Sequence, residues 1–124
     1  YNNTHRAVDM IPKDVVICDW HYERADKTAV YFAMKGLKVV TCPWRNPLLA
    51  VAQTDDMARF IADSPMPMKA NFLGMVQTVW SDPQVFIDGF YAKPVSAAEV
   101  SNTPWDSFRS LFRRIEELRA QPAE

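Results

Sequence analysis

The sequence predicts an α/β fold: a partial (β/α)8 TIM barrel of about three parallel βα units, followed by a C-terminal amphipathic helix. Three observations predict it. Strand-like and helix-like stretches alternate along the chain, an order that argues for parallel strands joined by right-handed crossovers. Two strands are written alike, Val16-Ile17-Cys18-Asp19-Trp20 and Val40-Thr41-Cys42-Pro43-Trp44, both reading Val-x-Cys-x-Trp, and a third strand ends at Trp80. Finally, three parallel strands leave two open edges and a full barrel needs about 250 residues, so these 124 residues are expected to hold its C-terminal part. The expected organisation is one domain over 1–124: a lead-in at 1–12, βα units over 13–92, a linker at 93–102 and a helix over 103–120.

The elements follow in order. Residues 15–20 form an apolar, β-branched run short enough for a strand buried on both faces. Asp26 can cap a helix over about 27–35, with Ala29, Val30, Ala33 and Met34 on one face. Gly36 stands where a left-handed C-terminal cap belongs, and Leu37 supplies the hydrophobic contact after it. A second strand spans 38–43. Asn46-Pro47 is an N-cap and first-turn pair opening a helical region to about 62, with a break expected near Thr54-Asp55. Residues 63–68 read as a loop, with Met66 and Met68 filling gaps beneath it. A third strand at 73–79 leads to Trp80, and Ser81-Asp82-Pro83 starts a helix to about Tyr91. Lys93-Pro94-Val95 breaks the chain. Thr103 then caps a last helix whose apolar face is Trp105, Phe108, Leu111, Phe112, Ile115 and Leu118.

Composition excludes several classes. Hydrophobic residues make up 48% and charged residues 23%, ordinary for a soluble globular domain. A net charge of −1 carries no electrostatic footprint for nucleic acid or an anionic membrane, so neither partner is expected. No apolar run approaches the roughly 20 residues of a membrane span, and no charged-then-apolar signal segment opens the chain. Localisation is not legible. The chain opens on Tyr1 without an initiator methionine, and is expected to be a piece of a longer protein. With Gly36, Gly74 and Gly89 its only glycines, no phosphate-cradling loop is present. No cofactor and no metal are expected. Cys18 and Cys42 lack metal-ligand spacing and are read as reduced, buried residues or, on neighbouring strands, as a pair.

In parallel α/β architectures ligands bind at the C-terminal ends of the strands. Those ends carry Asp19, Trp20, His21, Tyr22 and Glu23, then Trp44 and Arg45, then Trp80 and Asp82. Indole faces offer flat apolar area to the C–H faces of sugar rings, while carboxylates and amides bond the hydroxyls. Each residue also has a plainer reading. A strand-end Trp packs, Asp82 before Pro83 caps a helix, Glu23 is a solvated loop charge, and His21 makes a structural hydrogen bond. Arg45 recognises an anion or pairs with Asp19. Asp19 and Glu23 can also form a general acid/base pair, depending on their separation.

The stretches Ile11 to Glu23, Gly36 to Trp44 and Leu73 to Trp80 together resemble the later strands of a glycoside hydrolase family 20 type catalytic barrel, the β-N-acetylhexosaminidase-like group with its bacterial relatives. The resemblance covers about residues 8–92 and rests on the order and spacing of the strand-end tryptophans. It implies that Trp20, Trp44 and Trp80 line the subsite for a terminal N-acetylhexosamine, and that a carbohydrate is the ligand. Asp82 stands near a Trp-x-Glu hydroxyl contact of that family, but as Asp followed by Pro. The family's catalytic motif is an adjacent Asp-Glu pair at the end of the fourth strand. No Asp-Glu dipeptide occurs here, and Asp55-Asp56, the nearest look-alike, lies in a helical region. The resemblance therefore implies strands six to eight with sugar-binding residues and an isolated chain that is inactive. The alternative is a non-catalytic carbohydrate-binding or self-associating α/β module. Either way the open edges call for a partner: another copy, or the missing N-terminal half of the barrel.

Overall fold

The computed structural model describes residues 4–80, 82–91 and 101–121. Most of the expected linker, 93–100, and Ser81 lie outside the described residues. A lead-in 3-10 helix, Thr4–Met10, precedes strand β1 (Val16–Asp19), helix α1 (Thr28–Met34), strand β2 (Lys38–Thr41) and helix α2 (Pro47–Asp63). A 3-10 turn at Met68–Asn71 leads into strand β3 (Phe72–Met75), and helices α3 (Pro83–Phe90) and α4 (Pro104–Ala120) follow. The three strands form one parallel sheet in the order β1-β2-β3. The protein is thus a mixed α/β fold with the expected alternation.

The two echoed segments lie side by side but are offset by two residues in register. Cys18 lies opposite Val40 and Asp19 opposite Thr41, so both Val-x-Cys-x-Trp segments run in the same direction and finish at the same end of the sheet. β3 carries a bulge: Phe72 pairs with Val39 and Gly74 with Val40, leaving Leu73 as the extra residue. Beyond β3 the backbone still follows β2, because the amides of Val76 and Thr78 donate to Thr41 O and Pro43 O, each at 2.9 Å. That ladder carries Trp80 to the end already occupied by Trp20 and Trp44.

One face of the sheet is covered. Val39 and Phe72 join Ala29 and Ala33 of α1 and Met57 of α2 in the core, with Ile17, Phe60 and Met75 packed around them. The other face is not. Val16 is 46% exposed, and Cys18 is exposed as well, so the expected burial of the first strand on both faces is corrected. No second layer of described residues lies over it. Both cysteines are free, Cys42 buried as expected and Cys18 not.

Local signals account for most helix boundaries. The Asn46 side chain accepts from the amides of Leu48 and Leu49, and Thr103 accepts from Asp106 N. Gly36 takes φ +73°, the left-handed cap expected of it, and Leu37 is fully buried. Three expectations fail. Asp26 does not cap α1, because its carboxylate is held by Arg24 Nε and Nη2 at 3.0 and 2.9 Å. α2 runs unbroken through Thr54-Asp55: Thr54 Oγ1 donates back to Ala50 O, and Asp55 accepts from Arg114 Nε at 2.6 Å. Met34 and Met66 are exposed rather than packed.

α4 lies along α2, fixed by the Arg114–Asp55 pair and, nearer its start, by Ser107 Oγ donating to Gln77 Oε1 at 3.1 Å. Its aromatic side meets α3: Phe86 meets Trp105 and Phe108 edge-on at 5.7 and 5.2 Å. Phe112, expected on the apolar face, is half exposed, while Leu111 is buried.

Candidate functional site

The C-terminal ends of the three strands converge on Tyr22. Its ring centroid lies 5.5 Å from that of Trp20 and 5.5 Å from that of Trp44, distances at which tilted aromatic pairs attract. Its hydroxyl accepts from Trp80 Nε1 and sits 3.3 Å from Thr78 Oγ1, which also donates to Pro43 O at 2.7 Å. Tyr22 therefore ties the β1, β2 and β3 ends together. Trp20 and Trp80 remain 63% and 71% exposed, presenting open indole faces. The Arg45 guanidinium lies over the Trp44 ring, with Cζ 4.5 Å from the centroid. Arg45 does not pair with Asp19, contrary to one of its two expected readings.

Two shallow depressions adjoin this cluster. One, of about 510 Å³, is lined by Trp20, His21, Tyr22, Glu23, Arg24 and Asp26. The other, of about 240 Å³, is lined by residues including Trp44, Arg45, Asp82 and Asn102. Each combines aromatic area with charged groups, and the second adds the Asn102 amide. The Trp44 Nε1 and Gln53 Oε1 atoms are buried without a hydrogen-bond partner among the described residues.

Asp19 stands apart from both depressions. It is only 8% exposed, and Thr28 Oγ1 lies 2.9 and 2.8 Å from its two carboxylate oxygens. His21 Nε2 lies 3.1 Å from Asp19 Oδ1 and 2.7 Å from Thr28 Oγ1, while Nδ1 lies 3.4 Å from Asp26 Oδ2. A buried carboxylate needs such partners. Arg24, bonded to Asp26, holds that carboxyl below its ordinary value. Gln53 Nε2 donates to His21 O at 2.9 Å and anchors the loop to α2. The result is a polar bracket that fixes the β1–α1 loop and so aims Trp20 and Tyr22. Glu23 is exposed and makes no contact with Asp19, so the structure does not assemble them as an acid/base pair. Asp82 caps α3, its Oδ1 accepting from Gln84 N at 2.8 Å, while lining the smaller depression.

The structure thus gathers Trp20, Tyr22, Trp44, Arg45 and Trp80 at one rim, places His21, Glu23 and Asp82 at its margins, and withdraws Asp19 into the fold. Sequence reading missed Thr28 and Thr78, whose hydroxyls organise the bracket and the hub. Their only sequence signal is position, Thr28 at a helix start and Thr78 two residues before a strand-end Trp. Among the described residues, no cluster of three or more His, Cys, Asp or Glu is placed to hold a metal ion, and no helix is long and apolar enough to cross a membrane. No protein-family model matches the chain. A comparison with curated proteins gives no match either.

Proposed function

We propose that this chain is the C-terminal part of a (β/α)8 barrel of the glycoside hydrolase family 20 type, whose strand-end rim binds N-acetylhexosamine-type glycans, and that the catalytic Asp-Glu pair is not in it. The observation that carries the reading is the convergence of Trp20, Tyr22, Trp44 and Trp80 at the C-terminal ends of three parallel strands. Aromatic walls beside a few polar groups suit a small-molecule site, and two open indole faces flanked by Arg45, Glu23 and Asp82 suit a polyhydroxylated ring with an amide. Among the described residues Trp44 Nε1 is buried without a hydrogen-bond partner, and Trp44 lines the smaller depression.

The test is tryptophan fluorescence and calorimetric titration of the chain with an N-acetylglucosamine disaccharide. Saturable binding is expected, lost in Trp20→Ala and Trp80→Ala and kept in Phe112→Ala, which lies on α4 away from the rim. Absence of binding at millimolar ligand, or binding indifferent to both tryptophans, overturns the reading.

A further inference from the structure

The edges of the sheet, unpaired among the described residues, carry an inference about the 124-residue chain on its own; it does not rest on the barrel reading, in which further strands take both edges. We propose that a second copy of this chain docks β1 edge-on beside β3, extending the parallel sheet from one copy into the next.

β1 and β3 are the two outer strands. Asp19 O accepts from Cys42 N, and the amides of Val76 and Thr78 donate to Thr41 O and Pro43 O, so the alternate backbone groups of both outer strands face outward without strand partners among the described residues. Such edges are templates for pairing. Beside β3 runs an apolar groove of about 540 Å³ between α2 and α4, lined by residues including Ile61, Leu73, Ile115 and Leu118. Leu73, the bulge residue, is 49% exposed there. At the start of the β1 edge Val15 is exposed, one residue before the strand.

Charge selects the partner. Arg119 is the one charged residue lining the groove among the described residues. α2 starts after β2 and ends before β3, and α4 lies along it in the same sense, so Arg119 sits at the N-terminal end of the strands. Asp14, exposed, precedes β1 at that same end. Neither makes an ion pair among the described residues. Adding β1 of one copy parallel to β3 of another brings Asp14 to Arg119 and keeps the helices of both copies on one side. A two-fold pairing of β3 with β3, or β1 with β1, makes an antiparallel junction and leaves both charges unmatched. The contact is therefore heterologous, and association continues from copy to copy unless the rotation closes a ring.

Sedimentation of the full 124-residue chain across a micromolar concentration series tests this. Average mass is expected to rise with concentration. Asp14→Arg and Arg119→Glu are each expected to weaken association roughly fivefold or more, and the double variant to restore it, because every junction then carries the reversed pair. Both positions are exposed, and circular dichroism verifies that the variants fold. A monomer at every concentration, an association indifferent to either single variant, or a double variant that fails to recover overturns the proposal.

Discussion

Tyr22 and Asp19 are three residues apart and do opposite work. Tyr22 gathers the rim, whereas Asp19 is sunk behind it. Replacing Thr28 by Val leaves the Asp19 carboxylate buried with one hydrogen-bond donor fewer, at an expected cost of about 1–3 kcal/mol by urea denaturation, with only an indirect effect on ligand affinity. Tyr22→Phe keeps the ring contacts but removes the acceptor for Trp80 Nε1. The expected effect is altered Trp80 fluorescence and weaker glycan binding with little loss of stability. Cys42 has a pH signature: burial, together with neighbouring Cys18, pushes its thiol from the ordinary 9.0 up to about 12. Above pH 9 the unfolded chain releases a proton that the folded chain keeps, so this contribution to stability is whole below pH 9 and fades as pH climbs to about 12. Alkylation at pH 8 is accordingly expected to label Cys18 alone, with Cys42 reacting only on denaturation. At this scale the types and order of the rim residues were legible in the sequence, because strand ends and tryptophans are local features. The role of Asp19 was not, because it depends on Thr28 and His21 folding over it.

The elements repeat that division. Caps with a local mechanism, at Asn46, Asp82, Thr103 and Gly36, stood where the sequence placed them. Asn46→Ala is expected to cost about 1 kcal/mol by removing the acceptor for two amides. The break expected in α2 did not occur, since Asp55 is claimed by Arg114 from a helix far along the chain, a contact no local pattern announces. The same holds for Gly89, which reads as an ordinary weak point inside α3. In the fold, a Cβ at Gly89 falls inside the indole of Trp105. Gly89→Ala is therefore expected to destabilise by about 1–3 kcal/mol through overpacking, despite alanine's better helix propensity. Thermal denaturation reads the difference, and a neutral or stabilised variant contradicts the close α3–α4 contact.

For the whole molecule, alternation of strands and helices was sufficient to give a parallel α/β sheet with the tryptophans at one end. Burial of the sheet was not legible: an apolar strand looks the same whether its second face is covered by its own chain or by something else. On the proposed reading the isolated chain does not hydrolyse aryl N-acetylglucosaminides, and turnover by the purified 124-residue protein contradicts it. The shared direction of the strands has a further consequence for valency. In an array extended strand by strand as proposed, every rim points the same way, while the junction charges sit at the opposite end. One long glycan then meets several rims at once, and its affinity rises with assembly beyond what a single disaccharide reports.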